Sequence, residues 1–257
     1  MQFNDFYYQI YLVTMTLVAV IVFVSLLFVE AGYGKFVSKK WGHGISNKTG
    51  WMLMEMPVFI SMVLLWWFSE KTFETVPLII FIMFQIHYFH RSFVFPFRLK
   101  GSNIMPLTIV LMGFTFNVLN AFMQGGWIFY LAPAEVFEIS WLYSWQFILG
   151  TLVYFTGMII NISSDNIIRK LRKPGDNKYY LPEGGMFRYV VSANYFGELL
   201  EWIGFALLSW SWAGVVFVLW SFANLAPRAR STYKKYELLF GEEFTKRKLR
   251  YIIPFVY

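Results

Sequence analysis

Long apolar segments are the feature that most constrains how this 257-residue chain can fold. Several of them reach roughly 20 residues, the length that crosses the hydrocarbon core of a bilayer as an α-helix. Only 14% of the residues are charged and 58% are hydrophobic, whereas about a quarter of the residues of an average soluble domain are charged. The sequence therefore predicts an all-α, polytopic membrane protein that forms a single membrane-embedded domain over residues 1–257.

The apolar segments divide into seven candidate transmembrane spans. The last span is short and follows its predecessor after only a few residues, which is typical of a helical hairpin. The predicted spans are Tyr8–Phe28, Trp51–Phe68, Val76–Phe95, Met105–Met123, Trp145–Ile162, Tyr189–Leu208 and Ala213–Leu225.

The basic residues predict the orientation of the spans, because cytoplasmic connections are enriched in lysine and arginine. Alternate connections and the C-terminal tail are basic here, and only Lys71 is basic on the opposite side. We therefore expect the N-terminus outside and the C-terminus in the cytoplasm. The first, third and fifth connections contribute Lys35, Lys39, Lys40, Lys48, Arg98, Lys100, Arg169, Lys170, Arg172, Lys173, Lys178 and Arg188, and the tail contributes Arg228, Arg230, Lys234, Lys235, Lys246, Arg247, Lys248 and Arg250.

Several classes of function are unfavourable on composition and motif grounds. The chain has no cysteine, which excludes disulfides and thiolate chemistry. Its three histidines, His43, His87 and His90, form no HExxH or HxxxH pattern, so we expect no metal site. The net charge of +7 is explained by the basic cytoplasmic connections and their attraction to anionic lipid, and we expect membrane lipid rather than nucleic acid as a partner.

Ionisable groups at membrane depth are costly and are therefore candidate functional residues. Glu55 lies early in the second span and Tyr88 lies late in the third. Because consecutive spans run antiparallel, a carboxyl group and a phenol can meet at this depth. Trp51 precedes Glu55 by four residues and shares its helix face. The alternative interpretation is a structural polar contact between helices.

Two further polar stripes follow helical spacing near the predicted cytoplasmic side. Arginine side chains suit phosphates, carboxylates suit ribose hydroxyls, and tyrosine can stack or form hydrogen bonds. This mixture indicates a dinucleotide site within the helical bundle, since no GxGxxG motif follows a predicted strand. The alternative interpretation of the second stripe is a basic membrane-exit helix. The stripes are Asn194, Glu198 and Glu201 in the sixth span, and Asn161, Asp165, Arg169 and Arg172 from the fifth span onward.

Longer motifs carry a resemblance to a known family. The segments Asn161–Asp165 and Leu171–Gly175 resemble the NIxSDxxLRxLRKPG segment of the steroid 5α-reductases, the 3-oxo-5α-steroid 4-dehydrogenase family. The segments Ala193–Trp202, His87–Arg91 and Tyr251–Phe255 are also similar to that family. The resemblance extends from about Trp51 to the C-terminus.

The resemblance implies a seven-helix reductase that uses NADPH to reduce the 4,5 double bond of a 3-oxo-Δ4 steroid. It implies that the catalytic residues Glu55 and Tyr88 hydrogen-bond the 3-ketone of a steroid or sterol-like lipid. It places the protein in a bacterial inner membrane or the endoplasmic reticulum, with the cofactor site facing the cytoplasm. The implied substrate-binding residues are Trp51, Phe116 and Trp202, and the implied NADPH-binding residues are Asn161, Asp165, Arg172, Tyr179, Asn194, Glu198, Glu201, Arg228 and Tyr236.

The sequence departs from the family pattern at a few positions. Met54 stands where the family usually has Gln, and Met112 stands where animal relatives can carry Arg. These departures suggest a bacterial-type homologue and leave the substrate open. Alternatives are an NADPH-dependent membrane reductase of another sterol or enoyl-CoA double bond, a small membrane transporter that uses the carboxylates as a relay, and a membrane methyltransferase.

Overall fold

The computed structural model describes residues 5–29, 41–100, 103–173, 175 and 178–257. Over these residues the chain is mostly helical, which confirms the predicted class. Four residues used in the sequence predictions lie outside the described residues, namely Lys35, Lys39, Lys40 and Pro174.

The described part of the chain contains eight α-helices and one short pair of β-strands. A π-helical segment, His90–Val94, joins α3 to α4, and another, Gly126–Leu131, extends α5. The helices are α1 Asp5–Phe28, α2 Asn47–Trp67, α3 Thr75–Phe89, α4 Phe95–Arg98, α5 Leu107–Gly125, α6 Trp145–Lys170, α7 Ala193–Ser209 and α8 Trp212–Thr245, and the strands are β1 Gly44–Ser46 and β2 Ile104–Pro106.

Five helical segments of the described chain are long and apolar enough to cross a membrane. They coincide with the first five predicted spans, with ends that differ by up to eight residues. The segments are Asp5–Phe28, Asn47–Trp67, Thr75–Arg98, Leu107–Leu131 and Trp145–Lys170.

The regions of the sixth and seventh predicted spans differ from the expected bounds. Helix α7 has only 17 residues and begins at Ala193 rather than Tyr189, because a 3₁₀ turn over Gly185–Arg188 precedes it. Helix α8 has 34 residues and continues far beyond Leu225, with a break in the helical backbone at Gly241. The Ser211 side chain caps α8 by accepting a hydrogen bond from Gly214 N at 2.9 Å.

The small β-sheet was not predicted from the sequence. Strands β1 and β2 pair antiparallel, with Gly44 opposite Pro106 and Ser46 opposite Ile104. Strand β1 leads directly into α2, and β2 leads directly into α5. The pairing therefore sets the N-terminal ends of α2 and α5 at the same level, and these two helices pack along their lengths.

Helices α6 and α7 form the most extensive helix pair in the described chain, and glycines make this possible. A Cβ at Gly157 would lie 2.3 Å from the backbone N of Glu201, and a Cβ at Gly197 would lie 2.4 Å from the backbone N of Asn161. Small residues allow backbones to approach this closely in a membrane. The contact brings the polar C-terminal half of α6 beside the N-terminal half of α7.

Candidate functional site

A large cavity of about 1010 Å³ opens among the described helices. Its volume lies at the upper end of the range of about 300–1,000 Å³ that is common for ligand sites. Residues of all eight described α-helices line it. One part of its wall is aromatic and another is polar and basic.

The aromatic part of the cavity contains both residues that were predicted to be catalytic. Glu55 and Tyr88 line it, together with Trp51, Phe116 and Trp202. The structure thus brings together all five residues that were assigned to the substrate end. Flat aromatic side chains offer a large apolar surface to a ligand.

Two donors face the carboxyl group of Glu55. The side-chain amide of Asn117 donates to the Met54 carbonyl at 2.7 Å and lies 3.4 Å from Glu55 Oε2. The guanidinium of Arg91 lies 3.8 Å from Glu55 Oε1. Because both groups lie on helices next to α2, they hold the carboxyl group in one orientation at the cavity wall.

Arg91 owes its position to the π-helical segment His90–Val94, in which the chain carries more than 3.6 residues per turn. Its guanidinium lies 4.8 Å from the ring centroid of Trp51 and 4.7 Å from that of Phe95. Cation–π contacts of this kind stabilise a buried arginine. Arg91 also lies in the electrostatic field of Glu198 and Glu55.

Tyr88 is only 3% exposed, and its ring is packed on several sides. Its ring centroid lies 4.7 Å from that of Phe84 and 5.7 Å from that of Trp202. Its hydroxyl oxygen accepts a hydrogen bond from the side-chain amide of Asn120 at 3.0 Å. The packing fixes the ring, and the amide contacts the one polar atom of the side chain.

The polar part of the cavity is formed where α6 and α7 meet. The amide of Asn194 donates to Asp165 Oδ1 at 3.0 Å. Asp165 Oδ2 and Arg169 Nε are both buried and have no hydrogen-bond partner within the described residues, and both side chains line the cavity. Since buried polar atoms are nearly always paired, these two atoms indicate a polar ligand.

Basic side chains surround this polar part. Arg98 donates to Asn166 Oδ1 at 2.7 Å, and Arg228 lies 5.6 Å from the ring centroid of Tyr195. Burial raises the pKa of the Tyr236 phenol, so it stays neutral and can donate a hydrogen bond at any ordinary pH. The basic residues of the lining are Arg91, Arg98, Lys100, Arg169, Arg172 and Arg228.

Of the nine predicted cofactor residues, six line the cavity and three contact their neighbours instead. Asn161 donates to the Asn194 carbonyl at 2.9 Å, and Glu201 Oε1 lies 2.7 Å from His87 Nδ1. The Tyr179 ring packs edge-on against Tyr236, with centroids 6.4 Å apart. The six that line the cavity are Asp165, Arg172, Asn194, Glu198, Arg228 and Tyr236.

The sequence predictions did not include the buried amides of α5. Asn117, Asn120 and Gln124 follow an i, i+3, i+7 spacing on one face of an otherwise apolar helix. That spacing was a usable signal, since polar side chains in a membrane helix face protein or a cavity rather than lipid. His87 and Arg91 bound one of the family-like segments of the sequence, and both line the cavity.

The fold and the cavity together define an integral membrane protein whose site combines an apolar wall with a polar, basic wall. Comparisons with known proteins identify the family. The family model described as 3-oxo-5-alpha-steroid 4-dehydrogenase matches residues 103–257. The chain belongs to this family, the steroid 5α-reductases, and is an oxidoreductase that acts on CH–CH bonds. The resemblance seen in the sequence is confirmed.

Individual relatives match over nearly the whole chain. Steroid 5-alpha-reductase DET2 of Arabidopsis thaliana is 40% identical over 240 residues, which cover 91% of this chain and 90% of that protein. 3-oxo-5-alpha-steroid 4-dehydrogenase 1 of Mus musculus is 38% identical over 245 residues, with 93% and 92% covered. The protein of the same name in Homo sapiens is 37% identical over 228 residues, with 88% and 86% covered.

Proposed function

We propose that this protein reduces the 4,5 double bond of a 3-oxo-Δ4 steroid and takes the hydride from NADPH. The observation that carries the proposal is the shared cavity, which is lined by Glu55 and Tyr88 in its aromatic part and by Asp165 and Arg172 in its polar part. The names of the relatives, which are steroid 5α-reductases, support the substrate class.

The residues of the polar part fit NADPH. Asp165 Oδ2 is a buried acceptor without a partner among the described residues, which suits a ribose hydroxyl. Arg172 and Arg228 suit the phosphates, because guanidinium groups pair well with phosphate oxygens. Asn194, Glu198 and Tyr236 complete the set with neutral donors and a carboxylate. When bound, NADPH supplies the hydride.

Three of the predicted cofactor residues have a supporting role in this proposal. Asn161 holds the backbone of Asn194, and Tyr179 packs against Tyr236. Glu201 holds His87, which itself lines the cavity. Each one positions a neighbour that can contact a ligand.

The aromatic part of the cavity would activate the steroid. The Tyr88 hydroxyl donates a hydrogen bond to the 3-ketone, which draws electrons from the enone and makes its β-carbon electrophilic. The negative charge that develops on the ketone oxygen is then stabilised by a donor already in place. Glu55 adds a second hydrogen bond when it carries a proton. Trp51, Phe116 and Trp202 pack on the steroid and exclude water.

The proton for the α-carbon comes from solvent in this scheme. Tyr88 lines the cavity, so its hydroxyl can give a proton on the substrate side and recover one from water in the cavity. Hydride adds to the β-carbon and a proton adds to the α-carbon, which completes the reduction of the double bond.

The proposal includes a single domain with seven spans, in which α7 and the first part of α8 complete the five longer ones. The basic connections place the N-terminus outside and the polar part of the cavity on the cytoplasmic side. NADPH is a cytoplasmic cofactor, so this orientation supports access to the site.

Turnover by two near-isosteric variants tests the proposal. NADPH consumption by the purified protein in detergent should depend on a 3-oxo-Δ4 steroid such as testosterone or progesterone, and should not respond to an enoyl-CoA. Tyr88→Phe should lower turnover by on the order of 100- to 1,000-fold, as expected for the loss of an oxyanion-type donor. Glu55→Gln should lose less, because glutamine retains a donor.

The matched control is Tyr130→Phe. Its hydroxyl donates to the Leu65 carbonyl at 2.9 Å outside the cavity lining, so this variant also loses a tyrosine hydroxyl but should keep its turnover. Full turnover of both Tyr88→Phe and Glu55→Gln would disprove the activation of the enone. Loss of NADPH-induced stabilisation in both would instead assign Glu55 and Tyr88 to cofactor binding or to folding.

A further inference from the structure

Two buried amides on α5 form a chain that leads to Tyr88: Asn120 contacts its hydroxyl, and Gln124 contacts Asn120. Asn120 is 0% exposed and Gln124 is 1% exposed, and neither lines the cavity. Both are therefore too deep to touch a ligand there. We call Asn120 and Gln124 the amide pair. Burying amides is costly unless they are hydrogen-bonded, so their bonds show what the amide pair does.

The direction of the hydrogen bonds is fixed at one end by the backbone. Gln124 Nε2 lies 3.0 Å from the carbonyl oxygen of Ala213, in the first turn of α8. A carbonyl can only accept, so this atom of Gln124 must be the NH₂ group. The same NH₂ group lies 3.4 Å from Asn120, whose facing atom must then be its oxygen, Oδ1.

The second amide passes this direction on to Tyr88. Because the Oδ1 of Asn120 faces Gln124, its NH₂ group faces the Tyr88 hydroxyl oxygen, at 3.0 Å. A phenol has one proton to donate, and its oxygen can accept. The oxygen of Tyr88 accepts from Asn120, and no described residue accepts the proton of Tyr88.

We propose that the amide pair positions Tyr88 as a hydrogen-bond donor into the cavity, with the direction set by the Ala213 carbonyl at the start of α8. A donor that contacts the phenol oxygen also polarises its O–H bond, which strengthens donation on the cavity side. The inference deepens the proposed function and rests on it in one respect: the acceptor in the cavity is taken to be the ketone of the substrate.

The competing explanation is that the amides only join α5 to α8, as buried amides do in many membrane proteins. That role and the positioning role make different predictions. An interhelical contact affects stability whether or not Tyr88 has its hydroxyl. A positioning residue affects turnover only through that hydroxyl.

The first measurement needs no substrate. Tyrosine labelled with ¹³C at Cζ reports the hydrogen bonding of each phenol, and the Tyr88 resonance is the one that Tyr88→Phe removes. Asn120→Leu and Gln124→Met should both move it. The control is Gln85→Met, because Gln85 is also a buried amide of a spanning segment, donates to the Phe59 carbonyl at 3.0 Å and does not line the cavity.

Gln85→Met should leave the Tyr88 resonance in place. A Tyr88 resonance that stays in place in Asn120→Leu and Gln124→Met as well would overturn the inference, whatever the substrate of the enzyme. Gln124→Met changes the more distant member of the amide pair, so it provides the same measurement if Asn120→Leu fails to fold.

The second measurement is a double-mutant cycle on turnover. Asn120→Leu should lower kcat by about tenfold, the worth of one oriented hydrogen bond, with little change in the NADPH-induced stabilisation. In a Tyr88→Phe background the same substitution should have no further effect on kcat. Equal losses in both backgrounds would show that the amides act independently of Tyr88, and the inference would be wrong.

The two measurements also separate this inference from the proposed function. If the Tyr88 resonance moves but the wild-type protein reduces no 3-oxo-Δ4 steroid, the amide pair orients Tyr88 as inferred and the proposed substrate is wrong. If steroid is reduced but the resonance does not move, the proposed function stands and the positioning role falls.

Discussion

Replacing Glu201 with leucine should destabilise the protein while leaving NADPH binding intact. Glu201 is 1% exposed and lies 2.7 Å from the ring nitrogen of His87, which is 5% exposed. The sequence placed Glu201 among the NADPH-binding residues, but it lies outside the cavity lining in the structure. A variant at this position therefore decides between a cofactor ligand and a residue that holds His87 in place.

The expected magnitude follows from burial. Removing one partner of a buried hydrogen bond costs about 1–3 kcal/mol, because the other partner is left unsatisfied. We take about 3 kcal/mol, the upper end, since both side chains are almost entirely buried. At about 2–4 °C per kcal/mol for a chain of this size, the thermal midpoint should fall by about 6–12 °C.

The assay is thermal unfolding in detergent with and without saturating NADPH. A ligand that binds only the folded state raises the midpoint by mass action, so its affinity can be compared between variants. Glu201→Leu should lower both midpoints and keep their difference. Glu201→Gln should lower them less, because the side-chain oxygen of glutamine can still accept a hydrogen bond from the His87 ring.

A double variant tests whether the effect of Glu201→Leu depends on its contact with His87. In His87→Phe, the partner that Glu201→Leu would leave unpaired is already gone, so the cost of Glu201→Leu should shrink. The reasoning is refuted if Glu201→Leu leaves the midpoint without NADPH unchanged and abolishes the NADPH-induced shift. Glu201 would then be a cofactor ligand, as the sequence predicted.

Two further predictions concern the cofactor site and the orientation. Arg172→Ala should strongly reduce the NADPH-induced shift in midpoint. Lys170→Ala, at the exposed last residue of α6 and two residues before Arg172, should not. Equal shifts in both variants would remove Arg172 from the site. The basic tail predicts a cytoplasmic C-terminus. A C-terminal fluorescent fusion in bacteria should therefore be fluorescent, and a C-terminal alkaline phosphatase fusion should be inactive. The reverse pattern would contradict cytoplasmic access for NADPH.

The sequence predicts the spanning segments well where hydropathy alone decides. The first five predicted spans each match a helical segment that is long and apolar enough to cross a membrane. The sixth predicted span begins at Tyr189, whereas α7 begins at Ala193. The apolar residues before Ala193 lie in loops and in a 3₁₀ turn rather than in a helix. The sequence also cannot foresee that α8 continues past Pro227, since a proline usually ends or kinks a helix.

Most residues that the sequence assigned to the candidate site line the cavity, and a few lie at a depth where a neighbouring helix covers them. Helical spacing correctly puts Asn194, Glu198 and Glu201 on one face of α7. Spacing does not show at which depth along α7 a neighbouring helix covers that face. Glu201 lies about 10 Å along the axis from Asn194, by the rise of an α-helix. At that level the carboxyl group of Glu201 contacts His87 of α3 and does not line the cavity.

Asn161 also lies outside the cavity lining, at the other side of this contact. It lies on the same predicted stripe as Asp165, four residues before it. At the level of Asn161 the backbones of α6 and α7 touch through Gly197, so its amide bonds the Asn194 carbonyl. At the level of Asp165 the helices leave space, and the carboxylate lines the cavity. The depth at which two helices separate depends on both sequences together.

Buried amides of α5 contact both residues that are proposed to be catalytic. Asn117 contacts Glu55 and itself lines the cavity, whereas Asn120 contacts Tyr88 and lies outside the cavity lining. Stabilising charge in a transition state is most effective when donors are oriented before the substrate arrives, because no further reorganisation is then needed. In a low-dielectric interior those donors must be held by other polar groups, whose burial carries its own cost. On the proposed mechanism, the amides of α5 orient Tyr88 and Glu55. A sequence search for catalytic carboxylates and phenols in a membrane should therefore include amides on the neighbouring helices.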